Sequence, residues 1–371
     1  MNFLERRDEI CRRMHEAKLD VLLAVHDGAH FIERPNAVMV LANFKSIGPS
    51  AVILQPSGAS EIIVTPMWDS ERALECSSDS DIRGENDLID GILAALGPNA
   101  AVQKAIGIAG LRTLPSRSVS RLAEALPNAK PADHVVFDAT RIKTDEEIAN
   151  AREAARIAEL GYRHLLEIAR PGRSEDDLAV ELKWHMKSLG AEDNFLMLCA
   201  GAHNRAVAPS NGRKVAKGDI ILAEITPSVR GQLTQICRTV VVGAASAQLE
   251  DRYQLVVRAM DEGIAAANPG ATMAEVCGAI NAVLEAEGYG EYCHPPHIRR
   301  RGHGLGFSSV RPGDVALDNT TVLEPDVLFM IHPNQYLPET GYLLCGEPVL
   351  VTPQGAERLT TQKAALASVE N

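Results

Sequence analysis

The chain has 371 residues, of which 46% are hydrophobic and 23% charged, a composition and length typical of a globular protein with two domains. Its net charge of −12 argues against a general nucleic-acid binder, because contacts to phosphates require clustered lysine and arginine. No apolar stretch approaches the roughly 20 residues that span a bilayer, and the charged N-terminus lacks an apolar signal core. The seven cysteines, without close pairing, fit reduced thiols. We therefore expect a cytoplasmic protein that binds neither nucleic acid nor membrane.

The first 140 residues predict an α/β domain. A charged amphipathic helix is predicted at residues 3–18, and a strand follows from Asp20. The remaining predicted elements are strands at residues 37–41, 51–54, 61–65 and 105–108 and a helix near residues 116–126. Such alternation of strands and helices over this length is typical of one α/β domain.

A second domain is predicted over residues 144–361. Its start is marked by a Thr-x-x-Glu capping box at Thr144, which opens a long helix that ends near Ala169. The elements predicted after it are a helix at residues 174–189, a hairpin within residues 218–242, a helix pair at residues 250–268 and 272–287, and a β-rich segment over residues 292–361.

Polar side chains occur in this domain where a purely structural sequence does not need them. Within the hairpin, Glu224 and Gln235 occupy strand positions that threonine or valine would suit better. His203 lies in the stretch Cys-Ala-Gly-Ala-His-Asn at residues 199–204, His303 lies among three glycines, and His332 interrupts an apolar strand. A lone histidine on an apolar strand is more often a core residue than a ligand. The four segments together nevertheless favour a functional site.

The order of these segments resembles the creatinase/Xaa-Pro aminopeptidase/methionine aminopeptidase (M24) superfamily, whose catalytic domain has the pita-bread fold. The matching motifs are Gly-Asp at residues 218–219, Cys-Arg-Thr at 237–239, Gly-His-Gly-Leu-Gly at 302–306, Leu-Glu-Pro at 323–325 and the segment at 349–360. The resemblance implies an α/β (α+β) fold. In it, a creatinase-type N-terminal domain over residues 1–140 precedes a pita-bread catalytic domain over residues 144–361.

The peptidases of this superfamily hold two metal ions with two aspartates, one histidine and two glutamates. Matched position by position, the aspartates fall on Glu224 and Gln235, the histidine on His303, and the glutamates on His332 and Gly346. Two neighbouring divalent cations repel each other and need several carboxylates to hold them. Since one carboxylate remains here, the match implies a site without a dinuclear metal centre.

Creatinase is a metal-free enzyme of this fold, and this chain resembles it in several substrate-handling positions. The stretch at residues 201–204 resembles the segment that carries its general-base histidine, which assigns that role to His203. A phenylalanine and an arginine that close its pocket from the partner subunit match Phe44 and Lys45, and an arginine that grips a carboxylate corresponds to Arg311. Because lysine cannot reproduce a bidentate guanidinium–carboxylate pair, creatine is disfavoured as the substrate.

The leading hypothesis is a creatinase-like, metal-independent hydrolase without a cofactor, which cleaves a C–N bond of an amidine, amide or lactam in a small polar substrate. His203 would be the general base, and His303 or His332 would protonate the leaving nitrogen or stabilise the oxyanion. Glu224 would orient an imidazole or bind a cationic part of the substrate. The predicted substrate-binding residues are Phe44, Lys45, Gln235, Arg311 and Glu347.

Three alternatives remain open. Glu224, His303 and His332 form the 2-His-1-carboxylate set that binds one Fe(II) and could also hold one Zn²⁺, which would give a mononuclear metal-dependent hydrolase or lyase. The chain could also be an Xaa-Pro-type peptidase, or a non-catalytic binding protein of the same fold. In each case the resemblance implies a homodimer.

Overall fold

The structure of the protein is a computed structural model that describes residues 3–30, 32, 34–308 and 311–369. It divides into two compact units. The first runs to Glu146 and includes Phe307 and Ser308, and the second begins at Glu147. Both units combine helices with sheets, which confirms the predicted mixed α/β class. Within the described residues, no helix is both long and apolar enough to cross a membrane.

A six-stranded mixed sheet forms the centre of the first unit. Its strands are β1 (Val21–His26), β2 (Ser50–Leu54), β3 (Ser60–Val64), β4 (Asp81–Gly84), β5 (Ile106–Ala109) and β6 (Lys130–Pro131). They lie in the order β4-β3-β2-β1-β5-β6, with β2 antiparallel to both of its neighbours and the other pairs parallel. All residues of β1 are buried, as expected for a central strand covered on both faces.

Helices cover both faces of this sheet. They are α1 (Phe3–Glu16), α2 (Ala37–Ala42), α3 (Ser70–Cys76), α4 (Leu88–Leu96), α5 (Ala100–Gln103), α6 (Ser116–Ala125) and α7 (Asp133–Phe137). Because side chains alternate along a strand, Leu22 and Ala24 of β1 pack in one cluster with α1, α2 and α7. Val21, Leu23 and Val25 pack in a second cluster with α4 and α6.

The prediction of a strand at residues 37–41 is wrong, because Ala37–Ala42 forms helix α2. The side chain of Asn36 accepts a hydrogen bond from the Met39 N–H at the start of the helix, and Asn43 ends it in a left-handed conformation with φ of 50°. All six helical residues are buried. An apolar run this short has no periodicity that distinguishes a buried helix from a buried strand. The sequence feature that indicated a helix was Asn36, because asparagine is a favoured residue at a helix N-cap.

Among the described residues, the second unit contains four α-helices and two larger sheets. The helices are α8 (Asp145–Ile168), α9 (Glu175–Ser188), α10 (Ala247–Ala266) and α11 (Met273–Ala286). The first sheet has the order β17-β10-β8-β7, with β9 paired to β8; these strands are β7 (Asn194–Gly201), β8 (Ile220–Val229), β9 (Gln232–Leu233), β10 (Ile236–Val242) and β17 (Ala367–Val369). The second has the order β11-β12-β15-β16; its strands are β11 (Gly302–Gly304), β12 (Leu328–Ile331), β15 (Glu347–Thr352) and β16 (Gly355–Arg358). Strands β13 (Gln335–Leu337) and β14 (Gly341–Leu343) pair with each other.

The predicted hairpin is confirmed by the antiparallel pairing of β8 with β10, which sets Glu224 opposite Cys237. Cys237 also exchanges two backbone hydrogen bonds with Gly346, of 3.1 and 3.2 Å, and this bridge joins the first sheet to the segment that enters β15. In the second sheet, β11 pairs with β12 and sets His303 opposite Met330. The bridge therefore connects the sheet that carries Glu224 to the sheet that carries His303.

His26, the last residue of β1, is fully buried and stacks on His30 with 5.1 Å between ring centroids. Its Nδ1 accepts a hydrogen bond from the Gly28 N–H at 3.0 Å, while its Nε2 has no partner among the described residues. Burial, with the charge of His30 acting in the same direction, lowers the pKa of His26 to about 4. The folded protein therefore keeps this ring neutral where an exposed histidine is protonated.

We predict that this ring makes the stability of the protein depend on pH between about 6.5 and 4. In this pH range the imidazole of residue 26 is protonated in the unfolded chain but neutral in the folded chain. The free energy of unfolding therefore falls with decreasing pH, by at most about 1.4 kcal/mol per pH unit. Urea unfolding of a His26→Asn variant should show a smaller loss of stability from pH 7 to pH 5 than the wild type. The exposed His15→Asn variant is the control, and equal slopes in all three proteins would contradict the assignment.

Candidate active site

Gln235 and His303 form a buried amide–imidazole pair. The side-chain amide of Gln235, just before β10, lies 3.0 Å from Nε2 of His303 and 3.1 Å from the hydroxyl of Thr226 on β8. Nδ1 of His303 lies 2.9 Å from the carbonyl oxygen of Gly304 and must carry a hydrogen to bond there. The ring is neutral if the Gln235 amide donates to Nε2 and accepts from Thr226, and cationic if the amide oxygen faces the ring. In either orientation, Gln235 fixes the imidazole.

His332, immediately after β12, supplies a second buried imidazole. Its ring centroid lies 5.2 Å from that of His303, and its backbone N–H donates to the carbonyl of Arg301 at 2.8 Å. Burial, assisted by the charges of His303 and Arg300, lowers the pKa of His332 well below its usual value. Its buried Nδ1 has no hydrogen-bond partner in the described part of the chain. The structure thus presents a neutral imidazole with one nitrogen unused by the fold.

Glu224 is partly buried on β8 and pairs with no lysine or arginine among the described residues. Its Oε1 accepts a hydrogen bond of 3.3 Å from the amide of Asn334, and the thiol of Cys237 lies 4.0 Å away. Asn334 is fixed in turn, because its Oδ1 accepts from the Cys345 N–H at 3.1 Å. Burial raises the pKa of Glu224 to about 7, against the opposing effects of Arg300 and the Asn334 hydrogen bond. This carboxyl can therefore exchange a proton near neutral pH.

Gly346, which the sequence match aligned with the last glutamate of a two-metal site, leaves no room for a side chain. A Cβ atom added there would lie 2.5 Å from Cε of Met330, 2.6 Å from Cβ of His332 and 3.1 Å from Cβ of Cys237. These separations are shorter than normal contacts between carbon atoms. No side chain fits at residue 346 while its three neighbours keep their positions.

The donor set does not fit a pair of metal ions. The five matched positions hold one carboxyl, one amide, two imidazoles and no side chain at Gly346. Two divalent ions about 4 Å apart repel by roughly 16 kcal/mol even at an effective dielectric constant of about 20, and one carboxylate offsets little of that. Among the residues that the structure describes, no three His, Cys, Asp or Glu side chains are grouped so that they could hold a metal ion.

An open cavity of about 360 Å³ adjoins this cluster through Tyr342. Burial chiefly, and then the charge of Glu224, raises the pKa of Tyr342. The cavity is lined by Arg205, Ala206, Pro296, His297, Tyr336 and Tyr342. The exposed His203 meets Tyr336 edge to face at 5.9 Å between centroids, and its Nε2 lies 3.0 Å from the Pro338 carbonyl. A hydrogen on Nε2 bonds that carbonyl, which leaves Nδ1 of His203 as the basic nitrogen.

Glu347 and Arg311, both predicted to bind substrate, differ in what surrounds them. Glu347 is fully buried, and its carboxylate accepts hydrogen bonds from Arg238, at 2.8 Å, and from the hydroxyl of Thr360. Burial raises the pKa of Glu347 although Arg238 opposes the shift. The hydrogen-bonding capacity of this carboxylate is therefore taken up by contacts within the protein core. Arg311 is partly buried next to Gly304, whose missing side chain leaves room for the Arg311 carbonyl.

Phe44 and Lys45 belong to the first unit. The ring of Phe44 is fully buried in that unit, with the guanidinium carbon of Arg72 4.7 Å from its centroid. The carbonyl of Lys45 accepts a hydrogen bond of 2.9 Å from the same arginine. In this arrangement the Phe44 ring is a core residue.

Asn334, Tyr336 and Tyr342 belong to the site, although the sequence analysis did not single them out. Asn334 comes two residues after His332, a spacing that puts both side chains on the same side of an extended chain. That spacing was the available signal for Asn334. The two tyrosines lie on the short pair β13–β14, which the sequence shows only as part of a β-rich segment.

Comparison with known proteins yields a consistent set of relatives. Residues 149–353 match the model of metallopeptidase family M24. The chain is 31% identical to an uncharacterised peptidase of Bacillus subtilis over 64% of its own length and 66% of that protein. It is 29% identical to an Xaa-Pro dipeptidase of Pyrococcus furiosus over 64% and 68% of the two chains. The solved structure of an Xaa-Pro dipeptidase from Bacillus anthracis superimposes with a TM-score of 0.85 at 25% identity, covering 99% of this chain and all of that one. These matches confirm the predicted superfamily and the N-terminal domain followed by a pita-bread domain.

We predict that Gly346→Ala destabilises the protein, because the added methyl group would press on His332 and Met330. Overpacking of this kind typically costs about 1–3 kcal/mol. The matched control is Gly278→Ala in α11, where an added Cβ meets nothing within 4 Å and helix propensity should stabilise by up to about 1 kcal/mol. Urea unfolding of both variants tests this, and a Gly346→Ala protein as stable as the wild type would show that the position is open.

Proposed function

The chain belongs to metallopeptidase family M24, and on that basis we propose that it is a hydrolase that cleaves a C–N bond in a small polar substrate without the family's pair of metal ions. The observation that carries the proposal is the closed position at Gly346, together with the amide of Gln235 bonded to His303. A two-metal peptidase site needs carboxylates, whereas at the matched positions this chain has the imidazole of His303 bonded to the neutral amide of Gln235. Its own side chains therefore have to move the protons.

In the proposed reaction, Nδ1 of His203 takes a proton from water as the water oxygen bonds to the substrate carbon. A ring N–H of His332, the neutral imidazole, stabilises the oxygen or nitrogen on which negative charge develops. As the C–N bond breaks, the protonated carboxyl of Glu224 gives its proton to the leaving nitrogen. The imidazolium of His203 then returns a proton through solvent, so that both groups recover their starting states.

The tyrosines and Arg205 of the open cavity define where the substrate lies in this proposal. Tyr336 and Tyr342 offer aromatic surface, and Arg205 offers a cation for a substrate carboxylate. We also propose a homodimer, as the resemblance implies. Since the ring of Phe44 is buried, Lys45 is the better candidate for a contact from the partner subunit.

A second candidate is hydrolysis of Xaa-Pro dipeptides, which the names of the relatives favour. It would require metal chemistry from a single Fe(II) or Zn²⁺ ion on Glu224, His303 and His332. Such an ion would polarise the peptide carbonyl. In the described structure these three side chains are not grouped as ligands, so we derive no step through a metal.

We predict turnover of small amides, amidines or lactams by protein purified without chelator, and no loss of that activity in EDTA. Glu224→Gln and His203→Ala should each lower kcat at least about 100-fold, because each removes one proton-transfer group. Glu250→Gln, a change at an exposed carboxylate of α10, is the control and should keep full activity.

The same assay separates the alternatives. Cleavage of Xaa-Pro dipeptides that appears only with added divalent metal would replace this proposal by the second candidate. Absence of turnover in either panel, with or without metal, would contradict both and indicate a binding protein.

A further inference from the structure

A second cavity, of about 200 Å³, lies beside the three consecutive arginines Arg299, Arg300 and Arg301. It is separate in its lining from the cavity at Tyr342, with which it shares no residue. Its wall also includes Asn281 on α11 and the apolar side chains of Ile298 and Leu317. The concentration of positive charge at one small cavity calls for an explanation.

Arg301 is almost completely buried, with 1% of its surface exposed, and contacts only neutral acceptors. Its Nε donates to Oδ1 of Asn281 at 2.7 Å, and its Nη1 donates to the Pro333 carbonyl at 2.8 Å and to Oε1 of Gln335 at 2.9 Å. Its Nη2 has no acceptor among the described residues. A buried guanidinium without an anionic partner is costly, because the desolvation of its charge is not offset.

The other groups around the cavity do not supply the missing negative charge. Burial raises the pKa of both neighbouring thiols, to about 11 for Cys277 and in the same direction for Cys293, so both are neutral at pH 7. Asp318 is the one carboxylate among the described residues of the wall, and it is exposed. Its single negative charge is outnumbered by the positive charges of Arg299, which is also exposed, and of the buried Arg301.

Arg300 does not change the balance of positive and negative charge around the cavity. Its Nη1 donates to Oδ1 of Asp314 at 2.9 Å, so that carboxylate is already used by an arginine of the same cluster. The cavity wall therefore keeps an excess of positive charge after its acidic residues are counted.

We propose that this cavity binds a small organic carboxylate, with Arg299 contacting the carboxylate and Arg301 providing buried positive charge behind it. The planar guanidinium fork matches carboxylate geometry, which favours this class of anion. The apolar wall formed by Ile298, Ala316 and Leu317 suits a short hydrocarbon body. The volume of the cavity limits that body to a few carbon atoms.

Isothermal titration calorimetry with isobutyrate at constant ionic strength tests this site, and inorganic phosphate is the comparison probe. Isobutyrate should bind the wild type. Arg299→Gln should weaken binding at least about tenfold by removing a charge-assisted contact. Ala316→Leu should weaken it comparably by filling the cavity. Arg258→Gln, at an exposed arginine of α10 outside the wall, should leave the affinity unchanged.

Unfolding curves without ligand establish that each variant folds, and Arg299→Gln, an exposed position, decides the matter if Ala316→Leu does not fold. Isobutyrate that fails to bind the wild type, or that binds Arg299→Gln with unchanged affinity, overturns the proposal. Phosphate that binds in an Arg299-dependent manner while isobutyrate does not would overturn the carboxylate class.

Discussion

The backbone bridge between Cys237 and Gly346 is the contact on which the arrangement of the candidate site depends. It joins the β8–β10 hairpin to the segment that enters β15, and it brings the Cβ of His332 against the bare Cα of residue 346. Because residue 346 is a glycine and has no side chain, the two sheets can approach each other closely. At this junction the amide of Gln235 bonds to His303, whose ring lies 5.2 Å from that of His332, while Glu224 contacts Cys237 and Asn334.

This packing has an electrostatic consequence. The resemblance assigns acidic side chains to the matched positions of a two-metal site, whereas here Gln235 is neutral and residue 346 has no donor. His332, which occupies the place of a glutamate, is kept neutral by burial. Burial raises the pKa of Glu224 to about 7 although the charge of Arg300 opposes the shift. A group suited to metal binding thus becomes one suited to proton transfer near neutral pH.

Much of the fold could be predicted from the sequence, because long amphipathic helices and capped termini leave clear patterns, as at α8 and α11. Helix α2 could not, since six buried apolar residues carry no period. The cluster of Glu224, Gln235, His303 and His332 was accessible through the matched motifs.

The direction in which a side chain points could not be predicted from the sequence in the same way. Glu347 was predicted to bind substrate, yet it pairs with the buried Arg238, a contact between strands that lie 109 residues apart in the chain. Of the three consecutive arginines at residues 299–301, only Arg301 is buried. Long-range packing decides such cases, and a single sequence does not display it.

We propose that this site does not hold the metal pair of its family. Equilibrium dialysis of the purified protein against Mn²⁺, Co²⁺ and Zn²⁺, followed by elemental analysis, measures this directly. The account predicts that no condition yields about two ions per chain, because the remaining donors cannot offset the repulsion between them. Two tightly bound ions per chain, lost together in a Glu224→Ala variant, would contradict it.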